Sequence, residues 1–388
     1  LEERQAAEDQ AATNAADAAN AEAGFFPGSG FVLRTKDGNN KMHLGLQSLM
    51  HAQVTINGKA QVQDPFVTLR AISEGAIYRK WIRYWTSLEL AANPVYLLDA
   101  YVEIQPIDEF GLRLGQQWTP ISRHEYLYGP HQLLFPDWDV VSNYFWTGRD
   151  KGITAFGSFA NQLLAYQVGA YLGSPLRQFQ TIRGNYLFTA RFELNPLGVP
   201  GNTEFAYAEK ENAKHVPFKY AIGVNGWMSK ANEGIENFNP TTFEFETVPS
   251  AVTTVNHGVG ADLLLQSNRI MAQVEWYFRH TNPHEGFASY SSTGGFGQLG
   301  YLFYKRKLDA AVRLSWADVN LDVAHDQTYG IELNSTWYFH VPNIAFKLRY
   351  GYGHQQMPND DTGLAGGAPL ILSVPHVHVM TAQINTSF

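Results

Sequence analysis

The residues with the most to offer chemically are basic, and they sit close together. Arg123, His124, His131, Arg149 and Lys151 fall on or beside the stretch Pro120–Gly148. Arginine and lysine bring fixed positive charge and several N–H donors, and an imidazole can donate or accept. Such a set suits an anion that has shed part of its water shell and must recover the lost contacts from the protein. Little else competes. With no cysteine there is no thiolate nucleophile, disulfide or Cys-ligated metal. No P-loop and no Gly-x-Ser-x-Gly elbow is present. His376 and His378 stand at i, i+2 and could share a metal, but with no third ligand in view, rim or pore-facing histidines are the simpler reading. Asn359-Asp360-Asp361 could touch Ca²⁺, and a solvated turn is again simpler. No catalytic residue, metal site or cofactor is expected, and the chain is not read as an enzyme.

The elements that must carry these side chains have a period of two. Leu308, Ala310, Val312, Leu314 and Trp316 alternate with Asp309, Ala311, Arg313 and Ser315. Ile270, Ala272, Val274, Trp276 and Phe278 alternate with Gln273, Glu275 and Arg279, and the pattern repeats over 329–339 and 344–352. A strand sends successive side chains to opposite faces, so each segment has one apolar and one polar surface. Similar segments lie near 42–55, 65–77, 81–91, 96–106, 110–119, 150–159, 162–173, 182–194, 202–210, 217–229, 252–266, 294–305 and 374–388. In the last, Val377 and Val379 are out of phase with Ala382 and Ile384, which a bulge near Met380 would repair.

Phase also sorts the charges. Arg70, Arg83, Arg113, Arg191, Lys219, Arg279, Arg313, Lys347 and Arg349 fall on the water side, and so do Glu74, Glu89, Asp99, Glu103, Glu193, Glu275, Asp309 and Glu332. The two sets nearly cancel. At least half are expected to be cross-strand ion pairs bracing the wall, each stabilising by ~0.2–1 kcal/mol.

Composition points to where the apolar faces go. Aromatics make up 14% of the chain and charged residues only 16%, and there are 34 glycines. No apolar run approaches the ~18 residues of a membrane-spanning helix. Each segment has about the 9–11 residues a tilted strand needs to cross a bilayer. Aromatics crowd strand ends, as at Trp81, Tyr84 and Trp85 or Trp337, Tyr338 and Phe339, as interface girdles do. A soluble β-sandwich would also alternate, but would not fill nearly the whole chain with strands bounded by girdles. The expected fold is an all-β transmembrane antiparallel barrel over residues 31–388. The raw tally is odd and bacterial barrels are even, so sixteen strands are expected, with eighteen as the alternative. Residues 120–149 are too long and too aromatic for a turn and are expected to fold inward as a constriction.

The ends differ. Leu1–Ala23 is Ala-rich, with Ala7, Ala11, Ala15 and Ala18 at helical spacing, and reads as a short periplasmic helix followed by the linker Gly24–Gly30. No secretory signal stands at Leu1, so the chain is expected to begin after processing or trimming. At the other end, Phe388 closes an amphipathic strand and resembles the terminal signal read by the barrel-assembly machinery.

The region Leu98–Gly157 resembles the phosphate-selective porin O/P family. The residues concerned are Asp99-Ala100-Tyr101, Leu112-Arg113-Leu114-Gly115-Gln116 with Pro120, and Arg149-Asp150-Lys151-Gly152. Leu69-Arg70-Ala71 resembles that family's arginine-rich second strand, with one arginine where the family has a pair. The resemblance implies a sixteen-stranded barrel, a homotrimer and passive solute diffusion; it does not imply that phosphate selectivity is kept.

The expected function is therefore an outer-membrane porin passing small hydrophilic solutes or ions. Its pore residues would be Arg123, His124, His131, Arg149 and Lys151, with Arg83 and Arg113 on the wall. Its surroundings would be outer-membrane lipid and lipopolysaccharide, with peptidoglycan within reach of residues 1–23. A net charge of -8 argues against nucleic acid. The alternative is a structural barrel that sheaths a partner protein or anchors the envelope through its N-terminal helix.

Overall fold

The computed structural model describes residues 21–387 apart from 27–29, 57–59, 93–94, 174–183, 202–203, 205–216, 233–234, 240–243, 249–252, 285–287, 304–306, 341–343 and 357–375. Sixteen antiparallel strands close into a barrel. They are β3 (Lys41–Ile56), β4 (Ala60–Ile77), β5 (Arg79–Glu89), β6 (Tyr96–Ile107), β7 (Phe110–Trp118), β8 (Arg149–Phe159), β9 (Leu164–Tyr171), β10 (Tyr186–Leu194), β11 (Lys219–Asn232), β14 (Thr253–Gln266), β15 (Ile270–Pro283), β16 (Tyr290–Phe303), β17 (Leu308–Asp318), β18 (Gln327–His340), β19 (Ile344–Gln355) and β20 (His376–Ser387). Each pairs with the next, and β20 pairs with β3 to close the ring. A hairpin of β12 (Ile235–Asn239) and β13 (Glu244–Val248) stands apart in the β11–β14 connection.

Two further strands, β1 (Ala21–Phe26) and β2 (Gly30–Thr35), extend the sheet. The start of β3, Lys41–Leu44, outruns β20 and pairs with β2 instead, and β1 pairs with β2. The helix-and-linker expectation for residues 1–30 thus fails over Ala21–Phe26. An otherwise open edge offers backbone partners there, and Arg34 clasps Glu22 across the pair at 2.9 Å. Residues 1–20, and with them the expected helix, lie outside the described residues.

Alternation is realised as drawn from the sequence. Leu314, Val274 and Leu348 are more than half exposed, whereas their neighbours Arg313, Gln273 and Lys347 are at most 1% exposed. This inverts the soluble rule: the outside is apolar all round and the inside is polar. Such an exterior, with each of the sixteen barrel strands paired on both sides, is the arrangement a bilayer accepts.

Two expectations change. No strand stands between β10 and β11, which pair directly; of the expected segment 202–210 only Glu204 is among the described residues, and it lies in a turn inside the barrel. Nor is there a bulge at Met380, since β20 keeps register with both neighbours throughout. Val377 and Val379 share the inner side with Thr381, while His376 and His378 share the outer side with Met380. They sit at the end of the strand, beyond the rows of outward aliphatic residues, where lipid does not enforce apolar phase.

Candidate functional site

The β7–β8 connection, residues 119–148, is the long inward element. It contains α1 (Arg123–Leu127), a 3₁₀ turn (Pro130–Gln132) and α2 (Val140–Phe145). Both helices start on side-chain caps: Ser122 Oγ accepts from the Glu125 N–H, and Asp139 Oδ1 accepts from the Val141 and Ser142 N–H groups. Each cap occupies N–H groups that a short helix leaves unsatisfied.

The wall holds this segment by donating to its backbone. Lys347 Nζ donates to the carbonyls of Leu133 and Phe135 at 2.6 and 3.0 Å. Asn334 donates to Leu134 O at 2.8 Å, Arg313 to Asp137 O at 3.2 Å and Arg279 to Tyr144 O at 3.2 Å. Apolar packing completes the seal. Tyr128, Leu133, Leu134 and Phe135 bury against the inward Leu264, Met271 and Leu302, and Phe145 stacks on Tyr277 with centroids 5.3 Å apart. The segment covers the inner face of β14–β19, and its 3₁₀ turn reaches across to β3, where His131 Nε2 lies 3.4 Å from Gln47 Nε2.

The sequence-predicted residues do not form one cluster. Arg123 is buried with the carboxylates of Asp262 and Glu193, each at 2.6 Å, and Arg191 shares both partners. It anchors the segment. His124 is buried too. Its backbone N–H donates to Glu275, and its Nε2 accepts the Asp139 N–H at 3.1 Å, so Nδ1 carries the proton that goes to Glu204 Oε1 at 3.0 Å. Arg149 bonds Asp99 at 2.9 Å, with its guanidinium 3.8 Å from the Trp118 ring centroid. Lys151 is half-buried, and alternation assigns it to the side of the strand that carries the exposed Ile153. On the wall, Glu103 is shared by Arg83 at 3.0 Å and Arg113 at 2.7 Å. Phe388 lies outside the described residues.

The cross-strand bracing expected from phase is present. Arg70 pairs with Glu89, and Glu332 is shared by Arg313 and Arg349. Sequence reasoning missed three acids that matter. Asp262 was within reach, since it shares the inward phase of Gln266 on β14. Asp139 caps α2 and lies 3.6 Å from Arg313. Glu204 had no sequence signal. It comes from the β10–β11 connection, at the opposite rim from 119–148, and meets that segment in the lumen. Its carboxylate accepts from His124, the Leu134 N–H and Gln298, and its backbone N–H donates to Gln132 O at 3.1 Å.

The dry interior displaces titrations within the segment. Burial pushes the carboxyls of Glu125 and Asp139 above the usual range, Asp139 despite Arg313 and Ser315. Burial, with Lys347 and Arg70 nearby, pulls His131 down to about 4. Burial also works against the Glu204 carboxylate, but His124, the Leu134 N–H and Gln298 outweigh it and hold that group below its ordinary value.

The lumen is not filled evenly. The inner positions of β14–β18 are sealed, with Gln273, Arg313 and Thr336 fully buried. Those of β3–β6 are mixed: Leu49, Ile72, Ser87, Glu89 and Asp99 are buried, whereas His43, Gln47, His51, Trp85 and Tyr101 are only partly buried, and the side chains of Glu74 and Arg83 are 39% and 48% exposed. Toward the short-turn rim, a cavity of about 410 Å³ is lined by Lys41, Glu74, Lys80, Arg83, Tyr101 and Glu103.

No protein-family model matches the chain, and no curated protein sequence matches it. Solved structures do. In-vitro folded OmpT, an outer membrane protein of Vibrio cholerae, is similar at a TM-score of 0.59 and 9% identity, over 89% of this chain and 98% of that one. An anion-selective porin from Comamonas acidovorans gives 0.58 and 9% over 90% and 100%. OprB of Pseudomonas putida gives 0.53 and 12% over 89% and 94%. At such identities the likeness is one of fold, and the fold this chain shares with them is the outer-membrane β-barrel.

Proposed function

We propose that the protein is an outer-membrane porin that passes small hydrophilic solutes by diffusion, through a path between the 119–148 segment and the inner faces of β3–β6. The observation that carries this reading is the contrast across the lumen. One half of the wall is sealed against the segment, while the β3–β6 half keeps a set of partly exposed side chains, His43, Gln47, His51, Glu74, Arg83 and Tyr101, among its buried ones. Steric exclusion at the segment sets the size limit, and wall charge sets ion preference. Arg83 and Arg113 line the path in this reading. Arg123 and His124 position the segment without meeting the solute. Lys41, Lys80 and Arg83 around the cavity face Glu74 and Glu103, so anion preference is modest, and a phosphate preference would come from these cations. The similar Vibrio cholerae OmpT has also been solved in a trimer form, which supports a homotrimer. A sheath would need a wide lumen, and the inward segment disfavours it.

The test is planar-bilayer recording under a salt gradient with phosphate titration. Stable ohmic steps with a small anion-favouring reversal potential are expected. Folded, heat-modifiable protein that gives no steps would overturn the open-channel reading.

A further inference from the structure

On the outer face of β18–β20, polar side chains stand just beyond the rows of outward aliphatic residues. His376 and His378 lie on one side of β20, about 6.6 Å apart along the strand. The Nδ1 atoms are held by Tyr352 and Tyr350, each at 2.9 Å. The Tyr352–His378 ring centroids lie 5.0 Å apart, and His354 stacks on His376 at 4.5 Å. With each tyrosine hydroxyl donating to Nδ1, the neutral imidazole keeps its proton on Nε2. Neither Nε2 bonds a described residue, so two N–H donors leave the barrel side by side. Fixing one ring nitrogen so that the other is presented is how proteins aim an imidazole at a ligand.

Strand register puts apolar grooves directly beneath. Tyr350 pairs with Met380, and Ala52 with Ala382, whose small side chains floor a groove of about 600 Å³ bordered by Val54, Leu333 and Leu348. Tyr352 also borders a second groove of about 600 Å³, floored by Gly295 and Gly297 between Trp276 and Trp316. Donors at the rim with apolar grooves running inward from them match one occupant: a lipid with a phosphorylated headgroup. Two donors this far apart can bracket a single phosphate.

We infer that the β18–β20 face binds a phosphorylated membrane lipid, its phosphate between His376 and His378 and its acyl chains in the flanking grooves. This rests on the membrane-barrel reading and not on conduction. Native mass spectrometry of the full chain would compare phosphatidic acid with diacylglycerol of the same chains. Preferential retention of phosphatidic acid is expected. Retention should fall about tenfold in His376→Ala/His378→Ala, the worth of one charge-assisted hydrogen bond, and also in Ala382→Phe, which fills the groove. Channel steps in both variants should match the parent, because these side chains face away from the lumen. Equal retention of the two lipids, or unchanged retention in the histidine variant, would overturn the proposal. So would loss of self-association in Ala382→Phe with lipid retention intact, which would mark the face as a contact between copies. Failure to insert into vesicles at all would instead strike at the membrane reading.

Discussion

At the residue scale, the arginines divide by what they touch. Arg123 and Arg191 neutralise Asp262 and Glu193 in a dry interior. Removing one partner there leaves charge uncompensated, a change of about 3–5 kcal/mol for a buried pair. Arg123→Met should therefore lower the urea midpoint of the detergent-solubilised barrel. Arg83→Gln, on the watered side with its side chain 48% exposed, should shift reversal potential with little loss of stability. A midpoint for Arg123→Met equal to the parent's would remove it as an anchor. His131 gives a pH test. Its folded pKa is about 4 against an ordinary value of 6.5, so the unfolded chain takes up the proton first. Its contribution is whole above about pH 6.5 and is lost as pH falls toward 4. Parent protein should lose more stability than His131→Gln across that window and match it above. Sequence reading found these side chains as types but not as roles. Nothing in Arg123 or Glu204 taken singly says that each meets an opposite charge from a distant strand or the other rim.

At the scale of elements, strands were legible and connections were not. Lipid outside and polar groups inside enforce the period of two, so sixteen expected segments became barrel strands, and sixteen was the number expected. The pattern carries less where lipid does not reach, which is why Ala21–Phe26, Glu204 and the start of β20 were misjudged. The length and aromatic content of 120–149 announced an inward element, but which wall it would cover depended on partners such as Lys347 and Asn334, some two hundred residues away in sequence. Replacing residues 121–147 with a short polar turn should raise single-channel conductance several-fold, because both sides of the lumen would then carry current. Unchanged conductance would place the limiting width elsewhere.

At the scale of the molecule, the exterior and the lumen obey different solvents, and one ring of backbone hydrogen bonds separates them. Among the described barrel strands the ring has one junction between strands remote in sequence, where β20 meets β3. Thr381 Oγ1 lies 3.3 Å from Gln53 Oε1 across it, 328 residues away along the chain. Hairpins of sequence neighbours can form on their own, but this junction cannot zip until β20 reaches β3. Loop-closure entropy makes so remote a pairing slow. Until then two bare edges invite the wrong neighbours. Order of assembly is therefore built into the topology: the pairing of β20 with β3 converts an aggregation-prone ribbon into a sealed wall. The β1–β2 pair, laid over the part of β3 that outruns β20, keeps that wall from ending in a frayed seam.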